Sequence, residues 1–178
     1  MRVGFIPWIA FAVVVVGSGE VARPSEPVET FTGDIVLAPH SQAASLESHS
    51  GAITLQRDAH VAGNVKSYSG AIRIEGAHVG GRIDTTDSDI YIGADSRIDG
   101  GILVHRRSVA GLNLGEDFAI GIPVGRSTPP RVVIGARATV AGVLRFNRQV
   151  ELRVSESAKI GPIEGATPVM FATEEPPP

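Results

Sequence analysis

Six short apolar triplets recur along the chain and limit what it can fold into. Ile35-Val36-Leu37, Ile53-Thr54-Leu55, Ile72-Arg73-Ile74, Ile90-Tyr91-Ile92, Val132-Val133-Ile134 and Leu152-Arg153-Val154 follow at steps of 18, 19, 18, 42 and 20 residues. The long step is one ordinary step plus about 24 further residues. Flanking residues repeat in phase: Thr32-Gly33-Asp34, Ser50-Gly51-Ala52 and Ser69-Gly70-Ala71 precede three of the triplets. Ala59-His60-Val61-Ala62-Gly63 and Ala77-His78-Val79-Gly80-Gly81 follow two of them, with Ser96-Arg97-Ile98-Asp99-Gly100 and Ala138-Thr139-Val140-Ala141-Gly142 in the same place later. A fixed offset between core residues and turn residues is the mark of a repeat architecture.

The outer residues of every triplet are Ile, Leu or Val, while the middle one is Val, Thr, Arg, Tyr, Val or Arg. Alternation with period two buries one face of a strand. A second apolar pair follows at a spacing of four: Val61/Val65, Val79/Ile83, Ile98/Ile102 and Val140/Leu144. Each repeat therefore predicts two or three very short strands joined by Gly, Asp or Ser turns. A three-residue strand has no stability alone, but stacked coils pair backbone to backbone about 4.8 Å apart and pile like side chains into ladders. The prediction is an all-β, single-stranded β-solenoid of about six coils with an ~18-residue repeat, spanning 31–171 and forming a rod roughly 25–30 Å long. A β-sandwich explains the alternation but not the constant turn offset.

The ends read differently. Met1 and Arg2 precede an apolar run over 3–16, then Gly17-Ser18-Gly19, which is the tripartite pattern of a secretory signal peptide over 1–19. The run is short for a membrane span, which needs about 20 residues. Residues 20–30 read as a linker and 172–178 as a disordered Pro-rich tail. The expected location is outside the cytoplasm, periplasmic or extracellular. The extra residues of the long step form an excursion at 106–130. Its apolar alternation suits a hairpin folded against the rod, although loops of this length also serve as binding flaps. The Pro-containing linker with Phe31 at the front and Val169-Met170-Phe171 at the back are the expected end caps.

Candidate chemistry is sparse. A formal charge of −3 gives no basic footprint for nucleic acid. The chain has no Cys, which removes disulfides, thiolate zinc sites and thiol nucleophiles. No G-x-S-x-G, H-E-x-x-H or phosphate-cradling loop occurs. His60 and His78 share one column, continued by Arg97, Thr139 and Lys159, which predicts an outward polar ladder. Stacked imidazoles can share a metal ion, but no third ligand column accompanies them, and no metal or cofactor is expected. His105, Arg106 and Arg107 form a basic cluster where the excursion leaves its coil, able to meet an acidic group or simply to face water. Asp84, Asp87 and Asp89 read as solvated turn residues, since they lack the Gly and distal Glu of an EF-hand.

The run S-G-A-I-x-[LI] followed by A-H-V-x-G resembles the bactofilin-type, polymer-forming β-helical family, in particular exported members that carry a signal peptide. The resemblance covers about 31–165. It implies a compact right-handed β-helix and end-to-end assembly into filaments. The export signal and the 106–130 excursion are departures from many members.

Taken together, these features predict a non-enzymatic exported scaffold that self-assembles through its coil ends or presents a repetitive surface to an envelope partner. The competing classes are a hexapeptide-repeat acyltransferase, suggested by Ile92-Gly93-Ala94-Asp95-Ser96-Arg97-Ile98 and Ile134-Gly135-Ala136-Arg137-Ala138-Thr139-Val140, and a carbohydrate-binding or carbohydrate-processing β-helix.

Overall fold

The computed structural model describes residues 14–16, 27–106 and 128–172. All regular structure among them is β-strand, arranged as three parallel sheets. The first sheet holds eight strands: Val14–Val16, Ile35–Leu37, Ile53–Leu55, Ile72–Ile74, Ile90–Ile92, Arg131–Ile134, Glu151–Ser155 and Val169–Phe171. The second holds six strands, all dipeptides: Gln42–Ala43, His60–Val61, His78–Val79, Arg97–Ile98, Thr139–Val140 and Lys159–Ile160. The third holds seven: Val28–Thr30, Leu46–Ser48, Val65–Ser67, Ile83–Thr85, Ile102–Val104, Leu144–Phe146 and Ile163–Glu164. From Val28–Thr30 onward the described strands fall on the sheets in regular rotation, so one coil contributes one strand to each. This is the β-solenoid that the repeat predicts, with the six triplets in consecutive coils.

Like pairs with like from coil to coil. Ile35 registers with Ile53, Ile53 with Ile72, and Ile72 with Ile90. A second column runs Leu37, Leu55, Ile74, Ile92, Ile134, Val154, and every one of these side chains is fully buried. β-Branched residues suit this role, because they are stiff and pack well on a pleated surface. The corner between the first and second sheets is equally regular. His40, Asp58, Gly76, Asp95 and Arg137 occupy it in five consecutive coils, each with φ between 56° and 60°. That left-handed turn favours Gly, Asn, Asp and His, which accounts for four of the five residues.

The corner after the third sheet is held by buried hydroxyls. Ser48 Oγ donates to the Gly51 carbonyl at 2.7 Å and Ser67 Oγ to that of Gly70 at 2.6 Å, while Ser88 Oγ donates to Ser67 Oγ at 3.1 Å. Thr30 makes the same contact with Gly33 at the first coil. Later coils put Val104 and Phe146 in this column, so the ladder is polar in the first half and apolar in the second.

Three details add to or alter the sequence reading. Val28–Thr30, at the end of the expected 20–30 linker, is a strand pairing with Leu46–Ser48, because an end strand needs only partial cover. Val14–Val16, inside the expected signal peptide, pairs in parallel with Ile35–Leu37. Phe31 does not cap the front: it is 70% exposed and its ring stacks on His49 of the next coil. The rest of the 1–19 segment, residues 107–127 of the excursion and residues 173–178 of the tail lie outside the described residues.

Candidate functional site

The outward positions of the second sheet form the ladder that the sequence predicts. Gln42 registers with His60, His60 with His78, His78 with Arg97, Arg97 with Thr139 and Thr139 with Lys159. The rings of His60 and His78 lie 4.7 Å apart and tilted by 51°. Asp99 is the residue that the sequence reading missed. Its carboxylate receives Arg97 Nε at 2.8 Å on one oxygen and meets His78 Nε2 at 2.8 Å on the other. Its signal was present: the position is Ala62, Gly80, Ala141 and Gly161 in the neighbouring coils, and only here does it carry a charge.

The His78 hydrogen bond first, and the Arg97 charge after it, hold the Asp99 carboxyl below the usual carboxylate range. A carboxyl depressed on folding stabilises the fold above its unfolded pKa of about 3.9, and that stability is lost as pH falls through the lower folded value. Asp99→Asn should therefore lower the urea midpoint at pH 6 and lower it less at about pH 3, below the unfolded pKa. An equal loss at both pH values would mean that the group acts by packing alone.

The predicted basic cluster is divided. His105 Nε2 lies 3.3 Å from Asp84 Oδ1, whose other oxygen receives Arg82 Nε at 2.7 Å. Arg106 Nε reaches the Asn147 carbonyl at 3.3 Å instead. Arg107 lies outside the described residues. The three aspartates are tied down rather than solvated. Asp84 is only 6% exposed, Asp87 takes Arg148 Nη1 at 2.7 Å, and Asp89 accepts the Arg131 backbone N–H at 2.9 Å.

The outer face of the third sheet carries a second ladder: Glu29, Glu47, Lys66, Asp84, Leu103, Arg145, Glu164. Lys66 pairs with Glu47 at 3.2 Å and Arg145 with Glu164 at 2.6 Å. Phe31, His49 and Tyr68 stack beside it with ring centroids 4.7 and 4.4 Å apart. Charge alternates from Glu47 through Lys66 to Asp84 and again from Arg145 to Glu164, while Glu29 and Glu47 are like-charged neighbours; each exposed opposite-charge pair contributes little, about 0–1 kcal/mol. The stacked rings turn their faces to one another, so their role here is axial cohesion.

The two ends of the stack are unlike. At the first coil Ile35 and Leu37 are fully buried, with Val14–Val16 as the next strand. At the last coil Met170 registers over Val154 in the innermost column, yet it is 51% exposed. Val169 beside it is 59% exposed, and Ile160 and Ile163 are half-buried where Val140 and Leu144 below them are sealed. The column of the core therefore opens to solvent at its C-terminal end. Val169–Phe171 continues the first sheet instead of lying across the end as a cap.

Among the described residues no group of three His, Asp or Glu side chains is placed to hold a metal ion, and no helix is long and apolar enough to cross a membrane. Comparison with known proteins finds no matching family model, curated protein or solved structure.

Proposed function

We propose that the protein is a non-enzymatic structural solenoid, exported to the periplasm or beyond, that works by assembling end to end through its coil ends. The carrying observation is Met170, a half-exposed side chain in a column whose other members are completely buried. An open strand edge with an apolar column behind it is a template for a further strand, and proteins either blunt such edges or use them. Here the last strand is Val-Met-Phe, without the Lys, Pro or bulge that blunts an edge. The apolar run over 3–16 supports export, and the resemblance to polymer-forming β-helical proteins supports the same use of the ends. The polar ladder of the second sheet is then the lateral surface that an assembled rod presents to an envelope partner.

Light scattering and negative-stain microscopy over a concentration series test this reading. Mass should rise with concentration and particles should lengthen at constant width. Met170→Lys places a charge at the mouth of the apolar column, where its burial is costly, and should raise the half-assembly concentration tenfold or more. A chain that stays monomeric at every concentration, also when residues 1–19 are removed, overturns the proposal.

A further inference from the structure

The seat next to Ile35–Leu37 is filled, and what fills it lies outside the repeat. Val14–Val16 pairs there in parallel, with Val14 opposite Ile35, Val15 opposite Val36 and Val16 opposite Leu37. The opposite end of the molecule offers another apolar triplet in the same sheet and the same direction. Through the coil-to-coil register, Val169 falls in the column of Val36, and Met170 in that of Leu37.

The steps at the two ends also fit one another. Beyond Ile163–Glu164, the last strand of the third sheet, the first sheet carries one strand more, Val169–Phe171. At the front, setting Val14–Val16 aside, the third sheet begins one strand earlier than the first, with Val28–Thr30 before Ile35–Leu37. A second copy stacked on the same axis would extend the first and third sheets without a gap. Only the second sheet would lack a strand, between Lys159–Ile160 of one copy and Gln42–Ala43 of the next. With Val14–Val16 in place, the first-sheet seat is taken and this fit is blocked.

We propose that Val14–Val16 is an internal occupant of the assembly seat, holding the edge of Ile35–Leu37 that Val169–Phe171 of a second copy takes in the assembled form. The inference rests on the end-to-end reading above and adds its control. A tethered strand competes at an effective concentration in the millimolar range, so it suppresses stacking by dilute copies. Three residues make few backbone bonds, so the strand yields when copies are concentrated or when the segment is removed at export.

The chain has no Cys, so introduced pairs report cleanly. Val15→Cys with Val36→Cys places two thiols at directly registered positions of adjacent strands, within the Cα separation that a disulfide spans. In the full chain the oxidised form should stay monomeric at concentrations where the reduced form assembles. Val15→Pro, which weakens pairing without touching the coils, should lower the half-assembly concentration tenfold or more. In that background Val36→Cys with Val169→Cys should give disulfides between copies. If wild type, Val15→Pro and the locked form all assemble alike, the seat inference falls and end-to-end assembly stands. Assembly of Val15→Pro without a 36–169 cross-link likewise overturns the seat. If every form is monomeric, including Val15→Pro, the assembly reading itself falls.

Discussion

Gly70→Ala should cost the solenoid more than about 3 kcal/mol, the upper reach of overpacking, because the intruded atoms are backbone. A Cβ on Gly70 would lie 1.8 Å from the Gly51 carbonyl oxygen, and one on Gly51 would lie 1.9 Å from that of Gly33. Those carbonyls are already engaged: Ser48 Oγ donates to that of Gly51 and Thr30 Oγ1 to that of Gly33. Moving the two coils apart to relieve the clash would stretch the coil-to-coil bond from the Ile53 N–H to the Ala71 carbonyl, 2.8 Å long beside it. Gly76 provides the contrast. Its φ is +57°, but a Cβ there meets nothing closer than the Arg57 side chain at 3.6 Å. Asp58 and Asp95 already occupy the same corner in adjacent coils. Gly76→Asn should thus cost under about 1 kcal/mol, since Asn tolerates the left-handed region. Urea midpoints of the two variants decide the matter: equal midpoints would mean that the coils do not approach as closely at Gly70 as the structure places them.

These two glycines show where the sequence was readable and where it was not. The repeated Ser-Gly-Ala before a triplet marked the corner, but the hydroxyls that do the work are Ser48 and Ser67, three residues before each glycine. Serine near glycine reads as turn chemistry, and nothing in one coil reveals that the hydroxyl points inward. The triplets were legible because their outer positions have no alternative to burial. The ladder of His60, His78, Arg97, Thr139 and Lys159 was legible for a related reason: once the inward Val and Ile are aligned, their neighbours follow in register. Asp99 was not, since its role depends on two side chains from different coils meeting at one carboxylate. Val28–Thr30 was hidden by its flanking prolines and glutamates, a composition that suits a linker and an end strand equally.

The core column carries the other large effect. Ile74→Ala should destabilise the fold by about 3–4 kcal/mol, in the upper part of the range for such truncations. Ile74 is fully buried, with Leu55 on one side and Ile92 on the other along the axis. Relaxation into the cavity would require those two coils to close up. Their backbone pairing fixes the separation near 4.8 Å, so the void stays open. Stability in a stacked repeat is close to a sum of coil terms and neighbour contacts. A weak contact at mid-stack should therefore uncouple the two halves, and the unfolding transition should broaden as well as shift. Truncation at the end of the same column has the opposite signature. Met170→Ala removes a half-exposed group and should cost the monomer under about 1 kcal/mol, while sharply reducing assembly. Denaturation at low concentration and scattering at high concentration separate the two variants. A sharp, barely shifted transition for Ile74→Ala would show that the coils can slide along the axis, and the single-column core would then be the wrong description.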